Sequence, residues 1–264
     1  MRFSGKDWAC KLSDARERTG AIAAHLFADV HLAALYDLFC GKRTDFEFYL
    51  KRVMSAKSVL DVGCGTGALL RMARKAGHAG RLCGLDPAVG MLAQARKCSD
   101  IEWILGDLAS VQFRREFDLI VMTGHAFQVL VTDNELRVAL AAIRRALTDD
   151  GRFAFETRNP LVREWEHWTP DKAAKVIDGD GASVHMSREV RSVDGDTVSF
   201  QHTFTSPSWE MPQTSRSTLR FLRADAVASL LSEADLAIEQ QFGDWDGSTL
   251  IASSPEIITI ARRA

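Results

Sequence analysis

The chain has 264 residues, 46% hydrophobic and 26% charged, the balance of a water-soluble globular protein rather than a disordered, fibrous or membrane one. That length is enough to bury a substantial core without disulfide or metal staples. Thirty-three Lys and Arg against 35 Asp and Glu leave a formal charge of −2, which removes any global positive field for nucleic acid or anionic lipid and makes a small molecule the expected partner.

The five cysteines, Cys10, Cys40, Cys64, Cys83 and Cys98, include no C-x-x-C pair. Neither a disulfide framework nor a zinc site is expected, and a reducing cytoplasm is. The stretch MRFSGKDWACKLSDARERTG has scattered charge and no apolar h-region, and no unbroken apolar run approaches about 18 residues. Export by a leader and membrane spanning are therefore not expected.

Residues 21–54 follow a helical rhythm, with Ile22, Leu26, Val30, Ala33, Leu35, Leu38 and Phe39 ahead of a break at Gly41. One or two helices should precede the sheet, as a cap over residues 1–57. From residue 58 short aliphatic runs alternate with helical stretches: SVLDV (58–62), RLCGL (81–85), IEWIL (101–105), FDLIVM (117–122) and RFAFET (152–157). This pace is that of βαβ units, which make a parallel sheet with helices on both faces. A helix from about Thr66 should stop at Gly77, one led by Asp86-Pro87 should use the aspartate as N-cap, and one opened by Thr132 with Glu135 should carry a capping box.

The rhythm breaks after Pro160. VHMSREV (184–190), TVSFQHTF (197–204) and TSRSTLRFL (214–222) read as an antiparallel meander, with Asp194-Gly195 marking a hairpin. A helix over about 224–234 and strands over 236–242 and 256–262 should complete a mostly parallel seven-stranded sheet. The expected divisions are a core at 58–160, an insert at 161–222 and a completing segment at 223–264. The meander reads either as a lid over the sheet's carboxyl edge or, through its exposed outer strands, as a homodimer edge.

The glycine-rich turn in VLDVGCGTG (59–67) follows a buried strand and opens a helix, which brings backbone close to a ligand at the carboxyl edge of the sheet. Gly63, Gly65 and Ala68 satisfy a relaxed dinucleotide fingerprint, and Asp86 lies roughly 20 residues on, where a ribose acid belongs. Asp61 at the strand end repels a pyrophosphate and welcomes a cation instead. Asp107, just after the third strand, can accept a hydrogen bond from an adenine amino group. Three acids around one glycine turn suit an adenosine with a positive chain.

The segments VLDVGCGTG, GLDPAVGMLAQAR, ILGDL and FDLIVMTGHAFQ, in this order and spacing, resemble the class I S-adenosylmethionine-dependent methyltransferases. The likeness is close over about residues 45–170, with RFAFETRNP in keeping, and fits a bacterial small-molecule group with a Rossmann-like α/β fold. It implies that Asp61 and the loop of Gly63, Cys64, Gly65 and Gly67 hold the methionine portion of S-adenosylmethionine, and of its product S-adenosylhomocysteine. It further implies that Asp86, beside Pro87, chelates the ribose and that Asp107 with the Leu108 amide reads the adenine. Met91 would pack on the adenine face, the Met122 and Thr123 backbone would meet the cofactor's amino group, and Tyr36 and Tyr49 would lie over the methionine and substrate end.

Each assignment has a plain structural alternative: helix capping for Asp86, a turn for Asp107, core packing for Met91. His125, three residues past the fourth strand, is the candidate for proton removal or substrate orientation, and its alternative is a local hydrogen bond. Arg158 can clamp a substrate carboxylate or phosphate, or pair internally with Glu156 or a nearby acid. Trp165, His167 and Trp168 open the insert, where Trp165 and Trp168 either wall a substrate pocket or pack the insert. MTGH after the fourth strand lacks the tetrad that stacks a flipped base, so a nucleic-acid substrate is disfavoured. No metal-ligand spacing is visible. The expected activity is methyl transfer to a nitrogen or oxygen of a small molecule; the alternatives are a nucleotide-linked oxidoreductase and a non-catalytic protein that binds S-adenosylmethionine or S-adenosylhomocysteine.

Overall fold

The computed structural model describes residues 30–41 and 43–264. Of the expected first helical stretch, Ile22 and Leu26 lie outside these residues. Two helices follow, α1 (Val30–Phe39) and α2 (Asp45–Ser55), separated at Gly41. Then come β1 (Ser58–Val62), α3 (Ala68–Lys75), β2 (Arg81–Asp86), α4 (Val89–Ala95), β3 (Glu102–Leu105), β4 (Phe117–Met122), α5 (Asp133–Ala146) and β5 (Leu147–Arg158). After β5 the chain forms β6 (Ala174–Ile177), β7 (Ser183–Asp194), β8 (Thr197–Thr205), β9 (Gln213–Arg220), α6 (Ala224–Glu233), β10 (Leu236–Phe242) and β11 (Glu256–Arg263).

Among the described residues the strands make two sheets. The larger has seven strands in the order β10-β11-β5-β4-β1-β2-β3 and is parallel except for β11, which runs against both neighbours. Side-chain alternation sends Val59, Leu119, Val121 and Ala154 to one face, where Tyr49 and Val53 of α2 and Leu69, Leu70 and Ala73 of α3 cover them. Leu60, Ile120, Met122, Phe153 and Phe155 point to the other face, under α5 and α6. Each such fully buried side chain contributes about 1.5–3 kcal/mol relative to exposure. Helices on both faces, with strands buried on both sides, match the run-like sequences of these strands.

The helix ends follow local chemistry in two of three cases. The His78 amide donates to Ala73 O (3.0 Å) and Gly77 takes φ +92°, which closes α3 as its glycine forecasts. Thr132 and Glu135 form a reciprocal capping box on α5. Asp86 is not the N-cap of α4. Its two oxygens accept from the amides of Ala88 (2.8 Å) and Gly65 (2.8 Å), and the helix starts only at Val89.

The insert forms a separate antiparallel sheet of four strands, β6-β7-β8-β9, rather than three. Strand β6 has mostly exposed residues, so it carries no alternation for a sequence to display. The β7–β8 turn pairs Asp194 with Thr197 and puts Gly195 at φ +57°. Helix α1 joins the two sheets: Ala33 and Tyr36 pack on Ala88 and Met91, while Leu32 and Leu35 pack on Val184 and Phe204 of the insert. No helix of the described residues is long and apolar enough to cross a membrane.

Candidate active site

The three acids stand at the carboxyl ends of adjacent strands. Asp61 lies on β1, Asp86 closes β2, and Asp107 follows β3, in the sheet order β1-β2-β3. Neighbouring strands are about 4.8 Å apart, so the row spans about 10 Å, the width of a nucleoside. Between them runs the glycine turn, in which Gly63 and Cys64 amides share Leu85 O (2.8 and 3.2 Å) and Gly65 donates to Asp86. Left-handed backbone at Gly63, Gly65 and Gly67 (φ +72°, +55° and +75°) holds this path, which side-chain-bearing residues adopt only under strain.

A cavity of about 220 Å³ opens over the turn, bounded by Tyr36, Cys40 and Arg43 on one side and by Asp61, Gly65 and Thr123 on the other. Asp61 is 1% exposed, and its Oδ1 has no hydrogen-bond donor among the described residues. Burial pushes its carboxyl up to about 7, against the pull of the Arg43 guanidinium and with the help of the Asp86 charge. A buried carboxylate oxygen without a donor is a receptor for a cation. Arg43 itself is held by Asp45 through Nε (2.7 Å) and Nη2, and its guanidinium covers Gly124.

Helix α1 is fastened over the turn by Asp37, which accepts from Thr66 Oγ1 (2.6 Å) and from Arg71 Nη2 (2.9 Å). At the far rim, Glu156 of β5 is fully buried and accepts from the Tyr49 hydroxyl and from the His125 amide (2.7 Å). His125 sits at φ +63°, and its Nε2 lies 3.0 and 3.1 Å from the two oxygens of Glu256 on β11. Burial lowers the imidazole to about 4 and raises the Glu256 carboxyl to about 8. Asn159 pins the approach to Glu256, donating to Ala252 O (3.1 Å) and Ser254 O (2.9 Å).

Residues 59–151 match the family described as a methyltransferase domain. The match takes in the glycine turn together with Asp61, Asp86 and Asp107. It is 38% identical over 120 residues to 2-phytyl-1,4-naphtoquinone methyltransferase of Thermosynechococcus vestitus, which covers 42% of this chain and 52% of that protein. The chain thus spans about half the length of that relative. It is 29% identical over 196 residues to dTDP-3-amino-3,4,6-trideoxy-alpha-D-glucopyranose N,N-dimethyltransferase of Streptomyces venezuelae, covering 68% of this chain and 78% of that one. The fold superposes on an S-adenosylmethionine-dependent methyltransferase of Clostridium acetobutylicum with a TM-score of 0.70 and 16% identity, over 87% of this chain and 96% of that one.

Of the expected site residues Tyr36, Asp61, Gly63, Cys64, Gly65 and Thr123 line one cavity. Several other expected residues do not line it. Asp107 caps its own turn, accepting from Ala109 and Ser110 amides (3.0 and 2.9 Å), while Leu108 and Met122 are core residues and Pro87 is exposed. The Met91 side chain is 2% exposed and packs on Ala33 and Ala88, with its sulfur beside Gly65 of the glycine turn. Tyr49 is not a substrate contact, because it is wholly buried and spends its hydroxyl on Glu156. Arg158 is not a free clamp. Its Nε meets Glu164 Oε2 at 2.5 Å and its Nη1 donates to Gln128 (3.1 Å). Trp165 and Trp168 pack with Val198, Phe200 and Phe221, which is their structural reading.

Asp37, Arg43, Glu156 and Glu256 are the site residues that a sequence reading passes over. A larger open cleft of about 480 Å³ lies at the opposite edge of the sheet, among Arg115, Arg144 and Arg263. These arginines pair with Asp149 and Asp235, and no glycine turn adjoins them.

Proposed function

We propose that the chain transfers a methyl group from S-adenosylmethionine to a nitrogen or oxygen nucleophile of a small molecule, by in-line displacement. The observation that carries this reading is the buried Asp61 oxygen, without a donor, beside the glycine turn. It fits the cofactor's α-ammonium, with Asp86 toward the ribose hydroxyls and Asp107 toward the adenine. When bound, the cofactor supplies a methyl group on positively charged sulfur, already activated toward nucleophiles. The protein's part is to hold the acceptor in line, exclude water and take a proton.

His125 is the residue for that proton. Burial keeps its imidazole neutral, so it accepts rather than carries a charge. Once Glu256 ionises, above about pH 8, donation from Nε2–H to its carboxylate leaves Nδ1 as the accepting atom and stabilises the imidazolium that forms. Glu156 fixes the loop by taking the His125 amide, and the Tyr49 hydroxyl holds Glu156 in turn. The amino-sugar relative methylates nitrogen by its name, which supports a nitrogen acceptor here.

Calorimetry with S-adenosylhomocysteine and with NADH, followed by mass spectrometry of a panel of amines, phenols and hydroxy acids, tests the reading. The expected result is binding of S-adenosylhomocysteine alone, and a methylated product formed together with it. Binding of NADH in its place would support an oxidoreductase, and tight S-adenosylhomocysteine binding without any product would support a non-catalytic binder.

A further inference from the structure

The inner face of the insert carries a polar row in an apolar setting. Alternation along the strands turns Arg188 of β7, His202 of β8 and Ser215 of β9 to one side, and the register pairs Arg188 with His202 and His202 with Ser215. On one flank of the row Phe200 meets Trp168, and on the other Phe204 meets Phe39 of α1. Packing alone would favour a third apolar row between them.

Hydrogen bonding fixes the proton on this row. Arg188 Nε donates to His202 Nε2 at 3.0 Å, and a guanidinium only donates, so the ring proton sits on Nδ1. That Nδ1 is buried and has no partner among the described residues. Arg188 forms no ion pair with a described carboxylate; its guanidinium lies over the Trp168 ring, 4.7 Å from the centroid. Burial, followed by the Arg188 charge, lowers His202 to about 3, so the ring is a neutral donor. The His202 Nε2 acceptor fixes the guanidinium in place, and a guanidinium without an ion pair is costly to bury and becomes favourable once an anionic oxygen meets its free N–H groups.

The row lies beside elements that reach the core's site: Phe39, which meets Phe204, directly precedes Cys40 of the cavity wall, and Arg158 at the end of β5 shares the Trp168 ring with Arg188, at 5.4 and 4.7 Å from its centroid. Arg158 is neutralised by Glu164, so the free charge of the patch is one, which matches a carboxylate rather than a phosphate dianion.

We propose that the Arg188 guanidinium, positioned by His202, forms a carboxylate subsite for the methyl acceptor, so that the substrate is an organic acid held by its carboxylate while another atom is methylated. This rests on the methyltransferase reading above. The test is calorimetric titration of the S-adenosylhomocysteine-saturated chain with benzoate, glutarate and inorganic phosphate at millimolar concentration. In the intact protein a carboxylate should bind more tightly than phosphate. Arg188→Gln should weaken that binding by about tenfold or more, and His202→Phe, shape-matched to its neighbours Phe200 and Phe204, by about fivefold. Both variants should keep their affinity for S-adenosylhomocysteine. Equal carboxylate binding by the intact chain and Arg188→Gln, binding of neither acid, or tighter binding of phosphate overturns the subsite while leaving the methyltransferase reading intact. Failure of the intact chain to bind S-adenosylhomocysteine overturns both.

Discussion

His125 and Glu256 are joined across the sheet edge, Nε2 to Oε1 at 3.0 Å, although they lie 131 residues apart. The bond ties the loop after β4 to the antiparallel strand β11. The imidazole, lowered to about 4, and the carboxyl, raised to about 8, together keep the pair uncharged near neutrality. Above about pH 8 Glu256 ionises and stabilises the imidazolium that forms on proton removal. Turnover under the proposed reading is therefore expected to rise with pH through about 8 in the intact chain. Glu256→Gln should flatten that rise and lower turnover by about a hundredfold, the scale of a lost acid–base contribution. The check is a pH–rate profile beside S-adenosylhomocysteine affinity, and an unchanged rising limb in Glu256→Gln removes Glu256 from proton transfer.

Asp61 should link cofactor binding to protons. Its carboxyl is raised from 3.8 to about 7, so the folded chain holds a proton there that the unfolded chain has lost. The sign follows: this group's stabilisation is complete below about pH 4 and is lost as pH rises through about 7. Asp86, Glu156 and Glu256 are raised too and act in the same direction. Asp61→Asn should then reduce, without abolishing, the fall in ligand-free stability across that window, read as urea midpoints. A cation beside Asp61 favours its ionised form, so S-adenosylhomocysteine affinity should fall below pH 7 by up to about tenfold per unit. Binding there should release protons, measurable by calorimetry in two buffers, and Asp61→Asn should release fewer.

The parallel core was legible because each part is written in a short window. The run SVLDV, the turn GCGTG and the Thr132–Glu135 box all state their structure within a few residues. Asp86 shows the limit of that reading: Asp-Pro is a strong helix-start signal, yet its oxygens are taken by Ala88 and by Gly65 from another turn. Arg158 was open between substrate and internal pairing, and its partner, Glu164, lies in a short 3₁₀ segment of the insert that no periodicity announces. The Arg188–His202 row and the His125–Glu256 pair are products of strand register and sheet order. Register is set by the whole buried face, so no local pattern spells it out.

Asp37 should govern how long the cofactor stays. Its carboxylate draws Thr66 and Arg71 to α1, closing that helix over the glycine turn. The pair with Arg71 is partly exposed and adds little, so the buried Thr66 bond carries most of the effect. Asp37→Ala is expected to speed S-adenosylhomocysteine release by about tenfold, the equivalent of about 1.4 kcal/mol for one charged hydrogen bond. Stopped-flow displacement reads the rate, and Thr66→Val should reproduce most of it. Unchanged release in both would mean that α1 rests on the turn through packing alone.

Trp103 supports the glycine turn from below, and two glycines make room for it. A Cβ on Gly84 would fall 2.5 Å from the indole and 2.8 Å from Cys64 Sγ, and one on Gly67 would fall 2.2 Å from the same ring. The indole is fixed by its Nε1 donating to Cys98 O at 2.8 Å, so it has little freedom to yield. Gly84→Ala should therefore destabilise the fold by about 1–3 kcal/mol through overpacking. Trp103→Leu alone should cost a similar amount by leaving a void. Together they should cost at least about 1 kcal/mol less than their sum, because the methyl group enters space that the indole vacates. Urea denaturation of the four proteins measures the coupling, and strict additivity would show that the strand moves aside rather than the ring. Since the same indole backs Gly67, the double variant should regain stability while still binding S-adenosylhomocysteine more weakly than the intact chain.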